Sequence, residues 1–208
     1  MSEKEILDGL PIIIKNAKLL YKDALLLEKS NRKGSVYSLY QLSLEEIAKA
    51  FMLLEAILFK DISDSDVQRK LKKEISNHPT KLKKSIGIDI FLSSIMKSIN
   101  EEKYKEWSLR LTKEYEDINM MNNRKNYGFY VSFKGTKFQC PDELIKKKDI
   151  EKIKNKAGTR IYFGSKIINA MIPNFPKIKA QAQKINYSEI DKENIDEISN
   201  IIKGSIEN

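Results

Sequence analysis

The chain has 208 residues and carries 38 Lys and Arg against 29 Asp and Glu, which gives a net charge of +9. One cysteine and one histidine exclude an intramolecular disulfide framework and a metal site built from clustered Cys and His. Eight Gly and five Pro argue against a turn-rich all-β protein, and a hydrophobic content of 41% excludes wholesale disorder.

Apolar residues recur at helical spacing through most of the chain. In chain order they predict helices over about 11–30, 35–60, 67–78, 82–100, 101–125 and 150–171, then one or two more from 177. The helical period breaks between the helices predicted over 101–125 and 150–171. Residues 129–140 there are rich in aromatic residues around a Gly turn, which predicts a small β-hairpin. We therefore predict an all-α bundle with one hairpin. Residues 1–208 would form a single domain, with a core over about 10–172 and a C-terminal helical appendage over about 177–208.

The positive charge is concentrated in one segment of the chain. Residues 121–184 carry 15 basic and 4 acidic side chains, net +11, while residues 185–208 are net −4. Such a segment suits an RNA backbone, an acidic protein or the acidic tail. The alternative is an ordinary solvated Lys-rich surface, since Lys outnumbers Arg 33 to 5 and readers of nucleic acid usually rely on Arg.

The second predicted helix carries an unusual carboxylate. On a helical wheel Glu46 falls inside the apolar arc, with Lys49 on the margin of that arc and Glu45 on the open face. A buried carboxylate needs a cation or several donors, because desolvating it alone costs several kcal/mol. We therefore expect Glu46 to be buried, in a functional site or in a structural ion pair, and Glu45 to form an ordinary surface pair with Lys49.

Two other places could hold reactive groups. His78, the only histidine, lies on the apolar line of the third predicted helix, with Lys81 three residues later. Histidine changes charge near neutral pH, although a lone His on such a face is often a core or capping residue. Arg124 lies where a helix gives way to the hairpin, which suits a phosphate, a buried carboxylate or a plain surface position. Its polar neighbours are Asn122, Asn123, Lys125, Asn126, Tyr127 and Tyr130.

Four stretches together resemble the AbiV abortive-infection proteins, a branch of the HEPN (higher eukaryotes and prokaryotes nucleotide-binding) superfamily. They are NAKLL (16–20) with DALLL (23–27), residues 35–50 with the core LEEIAKA (44–50), NHPTKL (77–82), and RKNYGFYV (124–131) followed by the aromatic hairpin and Pro141. The resemblance spans about residues 12–170. It implies an HEPN-like helical bundle that commonly forms a homodimer, in a cytoplasmic bacterial protein that halts growth of the phage-infected cell.

The resemblance also implies a possible activity. Many HEPN proteins are metal-independent ribonucleases that pair an Arg with a His four to six residues further on. Arg124 matches that Arg, but the positions for the His hold Phe129, Tyr130 and Val131, and a phenol is a poor base at neutral pH. The carried-over catalytic candidates are Glu46, Lys49, His78, Arg124 and Tyr130. The binding candidates are Lys81, Asn123, Lys125, Asn126 and Tyr127, and no metal or cofactor is expected.

Three hypotheses follow. The first is an effector that arrests growth by binding RNA or the translation machinery, triggered by a phage-encoded protein. The second is a metal-independent ribonuclease in which Arg124 and Lys49 stabilise the phosphate, His78 or Tyr130 moves protons, and Glu46 orients Arg124. The third is a scaffold that a Glu46–Arg124 pair holds together. No stretch of the sequence is long and apolar enough to predict a membrane segment.

Overall fold

The structure, a computed structural model, describes residues 1–86 and 101–183. The elements are α1 (Glu3–Glu28), α2 (Lys33–Phe59), α3 (Ser65–Ser76), α4 (78–86), α5 (Glu101–Glu116), α6 (Ile118–Phe129), β1 (Ser132–Lys134), β2 (Lys137–Gln139), α7 (Pro141–Leu144), α8 (Lys147–Met171) and α9 (Phe175–Ala182). This confirms the predicted all-α bundle with one small hairpin. None of the described helices is long and apolar enough to cross a membrane. The predictions for 87–100 and 184–208 lie outside the described residues.

Helix α2 is the centre of the bundle. It packs mainly against α1, α6 and α8 and buries residues on every side, as expected of a helix that is apolar all round. Its C-terminal half packs in a cluster with Ile6, Leu10, Ile14, Ile161, Ile168 and Phe175. Its N-terminal half packs in a second cluster with Leu82, Ile118, Met121, Ile145 and Ile153. The second cluster brings α4 and α6 against α2, and these three helices hold the candidate site.

Three boundaries differ from the sequence predictions. Helix α1 begins at Glu3 because Ser2 and Glu5 form a capping box, and the helix continues through Pro11. His78 begins α4 rather than ending α3, because the Asn77 side chain accepts a hydrogen bond from Thr80 N (2.9 Å) and caps the new helix. The predicted helix over 101–125 is two helices, which divide at Asp117.

Helices α2 and α6 cross at backbone contact. A Cβ atom on Gly128 would lie 2.2 Å from Ser38 Oγ and 2.5 Å from Gly34 O, so only glycine fits there. Beside the glycines, Ser38 Oγ donates a 2.8 Å hydrogen bond to Lys125 O. The close crossing therefore fixes the position of Lys125 against α2.

A buried polar network joins α4, α5 and α8. Arg160 donates from Nη1 to Ser85 Oγ at 2.7 Å and from Nη2 to Glu114 Oε1 at 3.1 Å. Burial alone would raise the pKa of the Glu114 carboxyl, but Arg160 and Lys156 hold it below its usual range. This network fastens α4, which carries His78 and Lys81, to the rest of the bundle.

Candidate functional site

Glu45, not Glu46, is the fully buried carboxylate on α2. The Glu45 side chain is 1% exposed and that of Glu46 15% exposed. Glu46 accepts hydrogen bonds from Lys49 Nζ (2.8 Å) and Asn16 Nδ2 (3.1 Å), so the expected Glu45–Lys49 pair is also wrong. The helical-wheel prediction was wrong because α2 is covered on all sides. Its apolar arc therefore does not distinguish a buried face from an open one.

Three basic side chains converge on the Glu45 carboxylate from two other helices. Lys125 Nζ of α6 lies 3.1 Å from Oε1, and Lys81 Nζ of α4 lies 3.4 Å from Oε2. His78 Nδ1, also from α4, makes a short contact with Oε2. Gln41, one turn earlier on α2, directs its Nε2 at Oε1 (3.4 Å). We call these five residues the Glu45 cluster.

The Glu45 cluster holds more positive than negative charge. Lys81 and Lys125 are both buried, and they share one carboxylate. Burial lowers the pKa of Lys125, and Lys81 adds to this effect while Glu45 opposes it. Gln41 Oε1 is buried and accepts no hydrogen bond from any described residue. The cluster therefore retains both spare charge and a spare acceptor.

His78 is the one member of the cluster with an open side. Its side chain is 46% exposed, and only its Nδ1 is engaged among the residues that the structure describes. A carboxylate on Nδ1 orients an imidazole ring and leaves Nε2 available to a ligand. The arrangement is chemically that of a positioned general acid or base.

Arg124 belongs to a separate cluster. Its Nη1 lies 3.3 Å from Oδ1 of the buried Asp149, at the beginning of α8. Burial raises the pKa of the neighbouring Tyr37 hydroxyl to about 12, which Asp149 reinforces and Arg124 partly offsets. The predicted Glu46–Arg124 pair is therefore wrong, because the two side chains have different partners. Arg124 holds α8 to α6, which removes the scaffold hypothesis in its original form.

The remaining candidates lie outside the Glu45 cluster. Asn123, Asn126, Tyr127 and Tyr130 are exposed, and Lys49 is paired with Glu46. Of the ten predicted site residues, the structure brings His78, Lys81 and Lys125 together. Sequence reasoning missed Glu45, Gln41 and Asp149. Part of the site could have been found from Asn77, because an Asn cap there begins a new helix and places His78 and Lys81 three residues apart on it.

The hairpin presents aromatic rings to solvent. Phe133 and Phe138 face each other across the two strands with ring centroids 4.9 Å apart, yet they are 64% and 77% exposed. We define the hairpin surface as the exposed residues Tyr127, Phe129, Tyr130, Val131, Phe133, Lys137 and Phe138. Exposed apolar surface of this kind makes the hairpin a candidate interaction site.

No group of three or more His, Cys, Asp or Glu in the described ranges is placed to hold a metal ion. The Glu45 cluster instead surrounds a single carboxylate with ammonium groups and an imidazole. A site of that kind suits an anionic ligand better than a cation.

The fold is the helical bundle that the resemblance implied, with the site at the junction of α2, α4 and α6. The AbiV family model of the HEPN superfamily matches residues 5–161. The chain therefore belongs to the AbiV family, which is a family of abortive-infection, or phage-defence, proteins. No curated protein and no solved structure matches the chain.

Proposed function

We propose that this AbiV protein is a phage-defence effector that arrests growth of the infected cell by binding RNA, including RNA of the translation machinery, once a phage product triggers it. The observation that carries the proposal is the exposed Phe133–Phe138 pair of the hairpin surface. Proteins that bind single-stranded RNA stack its bases on exposed aromatic rings and attract its backbone with nearby lysines.

The hairpin is well suited to stacking. Its two strands pair with each other and form a separate two-stranded sheet. Its rings are open, and each base stacked on such a ring contributes about 1–3 kcal/mol. A two-stranded hairpin with exposed rings adds little to a helical core, so these rings are better explained by binding than by packing.

The surrounding charge also favours RNA. The hairpin lies within residues 121–184, the segment with a net charge of +11. Neutralising phosphates with lysines releases counterions, so binding of this kind weakens steeply as salt rises. The lysine-rich segment and the aromatic rings thus supply the two contributions that sequence-independent binding of single strands requires.

The test measures the affinity of a short single-stranded RNA at increasing salt. We expect a linear fall of log affinity with log salt. Phe133→Ala and Phe138→Ala should each weaken binding by about 1–3 kcal/mol. The matched control is Phe163→Ala on α8, since Phe163 is also exposed and stacks edge-on with Tyr162 at 5.1 Å. Binding that ignores salt, or that survives loss of both hairpin rings, would contradict the proposal.

A second function, metal-independent cleavage of the bound RNA, is favoured by the contact between Glu45 and His78. Here His78 Nε2 would take the proton of a 2′-hydroxyl that attacks the adjacent phosphorus, and would return it to the 5′-oxygen as the P–O5′ bond breaks. Glu45 would position the ring, and Lys81 would stabilise negative charge on the phosphate. Incubation of RNA with the protein in EDTA, with the infection trigger added, tests this idea. His78→Ala should lower the rate about 10²–10⁴-fold, whereas absence of cleavage by the native protein would remove it.

A further inference from the structure

A pocket of about 300 Å³ opens where the turn between α1 and α2 meets the first turns of α8. Four cations line it, namely Arg32, Lys33, Lys147 and Lys154, together with the two acids Glu28 and Glu151. Val36 and Ile150 also line the pocket. Neither the sequence analysis nor the proposed function has assigned this pocket a role.

One cation of the pocket is already neutralised. Glu28 accepts hydrogen bonds from Lys154 Nζ (2.8 Å) and Tyr40 Oη (2.6 Å). Partial burial would raise the pKa of Glu28, but these two hydrogen bonds hold it below its usual range. Glu28 is therefore committed as an ionised partner of Lys154.

The other three cations have no such partner among residues 1–86 and 101–183. Arg32, Lys33 and Lys147 form no ion pair with any residue that the structure describes, and Glu151 is the remaining acid of the lining. Three cations thus face one carboxylate in a concave space. A phosphate group fits this chemistry, because it offers several acceptor oxygens and carries the balancing negative charge.

One residue next to the pocket lining packs against the segment that carries the hairpin. Gly34, the residue after Lys33, packs so closely on Gly128 that an added Cβ would lie 2.6 Å from Gly128 O and 2.6 Å from Pro141 Cβ. Gly34 N donates a 2.8 Å hydrogen bond to Asp142 Oδ1, just beyond the hairpin. The start of α2 therefore joins the cationic pocket to the segment that carries the aromatic rings.

We infer that this pocket is a phosphate-binding subsite, which takes a backbone phosphate of an RNA strand whose bases stack on the hairpin surface. The inference rests on the proposed function. It adds a second place to RNA binding: the hairpin rings supply stacking, and the pocket supplies one of the salt-dependent phosphate contacts.

The test compares salt dependence rather than affinity alone. Arg32→Gln with Lys147→Gln should reduce the magnitude of the slope of log affinity against log salt by about 0.7, since the pocket takes one phosphate and each phosphate contact on a single strand contributes about 0.7. Phe133→Ala with Phe138→Ala should weaken binding and keep the native slope. The matched control is Lys72→Gln with Lys73→Gln on α3, which packs by Leu71 near the opposite end of α2. That variant should keep a slope within about 0.3 of the native value.

Three results would overturn the inference, and they differ in what they leave standing. If RNA binding depends on the hairpin rings but the pocket variant keeps the native slope, the subsite falls and the proposed function remains. The same holds if the α3 variant lowers the slope as much as the pocket variant does. If the native protein binds no RNA, the proposed function falls and takes the subsite with it.

Discussion

Folded proteins usually expose their charged groups and bury their aromatic rings. The Glu45 cluster departs from this pattern with buried charges, and the hairpin surface departs from it with exposed rings. The cluster places Glu45, Lys81 and Lys125 in the interior, while the hairpin places Phe133 and Phe138 in solvent. Buried charges are expensive unless they are paired, and exposed aromatic rings contribute little to folding. The comparison therefore separates two roles: the cluster should govern stability and the position of His78, and the hairpin should govern binding.

The largest expected effect comes from removing the buried carboxylate. Glu45→Gln leaves Lys81 and Lys125 buried without a counter-charge, so the free energy of unfolding should fall by about 3–5 kcal/mol. Urea unfolding at neutral pH measures this. Glu46→Gln is the matched control on the next residue, and it should cost less than about 1 kcal/mol because its pair with Lys49 is partly exposed. Equal losses of unfolding free energy for the two variants would contradict the claim that the buried Glu45 cluster governs stability.

The Glu114 network predicts a pH dependence. The folded-state pKa of Glu114 lies below the unfolded value of 4.5, so its contribution is complete above pH 4.5 and disappears as the pH falls through the lowered pKa. At neutral pH, Glu114→Gln should lower the free energy of unfolding by about 3 kcal/mol, because Arg160 loses a buried partner. Unfolding measured from pH 7 to pH 3 should show this difference shrinking; a constant difference would contradict the assignment.

A smaller loss should follow from Gly128→Ala. The new Cβ would lie 2.2 Å from Ser38 Oγ and 2.5 Å from Gly34 O, so α6 must shift away from α2. We expect a loss of about 1–3 kcal/mol, typical of overpacking. Gly9→Ala on α1 is the control, because nothing lies within 4 Å of that Cβ, and alanine there should stabilise the helix by up to about 1 kcal/mol. Unchanged thermal unfolding of the Gly128 variant would show that the crossing is looser than described.

The smallest effect on stability should come from the hairpin. Phe133→Ala with Phe138→Ala removes an exposed cross-strand pair, and such pairs contribute about 0.2–1 kcal/mol. The melting temperature of this double variant should therefore stay close to that of the native protein. A loss comparable to that of Glu45→Gln would mean that the rings support the fold, and the separation of roles would fail.

Much of the fold could be predicted from the sequence, because helical periodicity and the change of period at the hairpin are local properties. The division at Asp117 and the cap at Asn77 were missed, since an apolar stripe continues across both. The candidate site was only partly predicted. His78 and Lys81 are close in sequence, but Lys125 reaches Glu45 only because Gly34, Ser38 and Gly128 let two helices touch.

The choice between Glu45 and Glu46 shows why periodicity was insufficient. Neighbouring residues on a helix point about 100° apart, and α2 has core on nearly every side. Only the positions of α4 and α6 decide which of the two carboxylates is covered. Arg124 gave the same difficulty, because its partner Asp149 lies on a helix that no local pattern connects to it.

The most direct test of the account is protection against phage in bacteria that produce the folded hairpin variant Phe133→Ala with Phe138→Ala. The variant should reach native protein levels and keep its melting temperature, yet lose both growth arrest and protection in a plaque assay. Tyr162→Ala with Phe163→Ala, which removes the exposed aromatic pair of α8, should protect as the native protein does. Full protection by the folded hairpin variant would contradict the claim that this protein acts through its exposed aromatic surface.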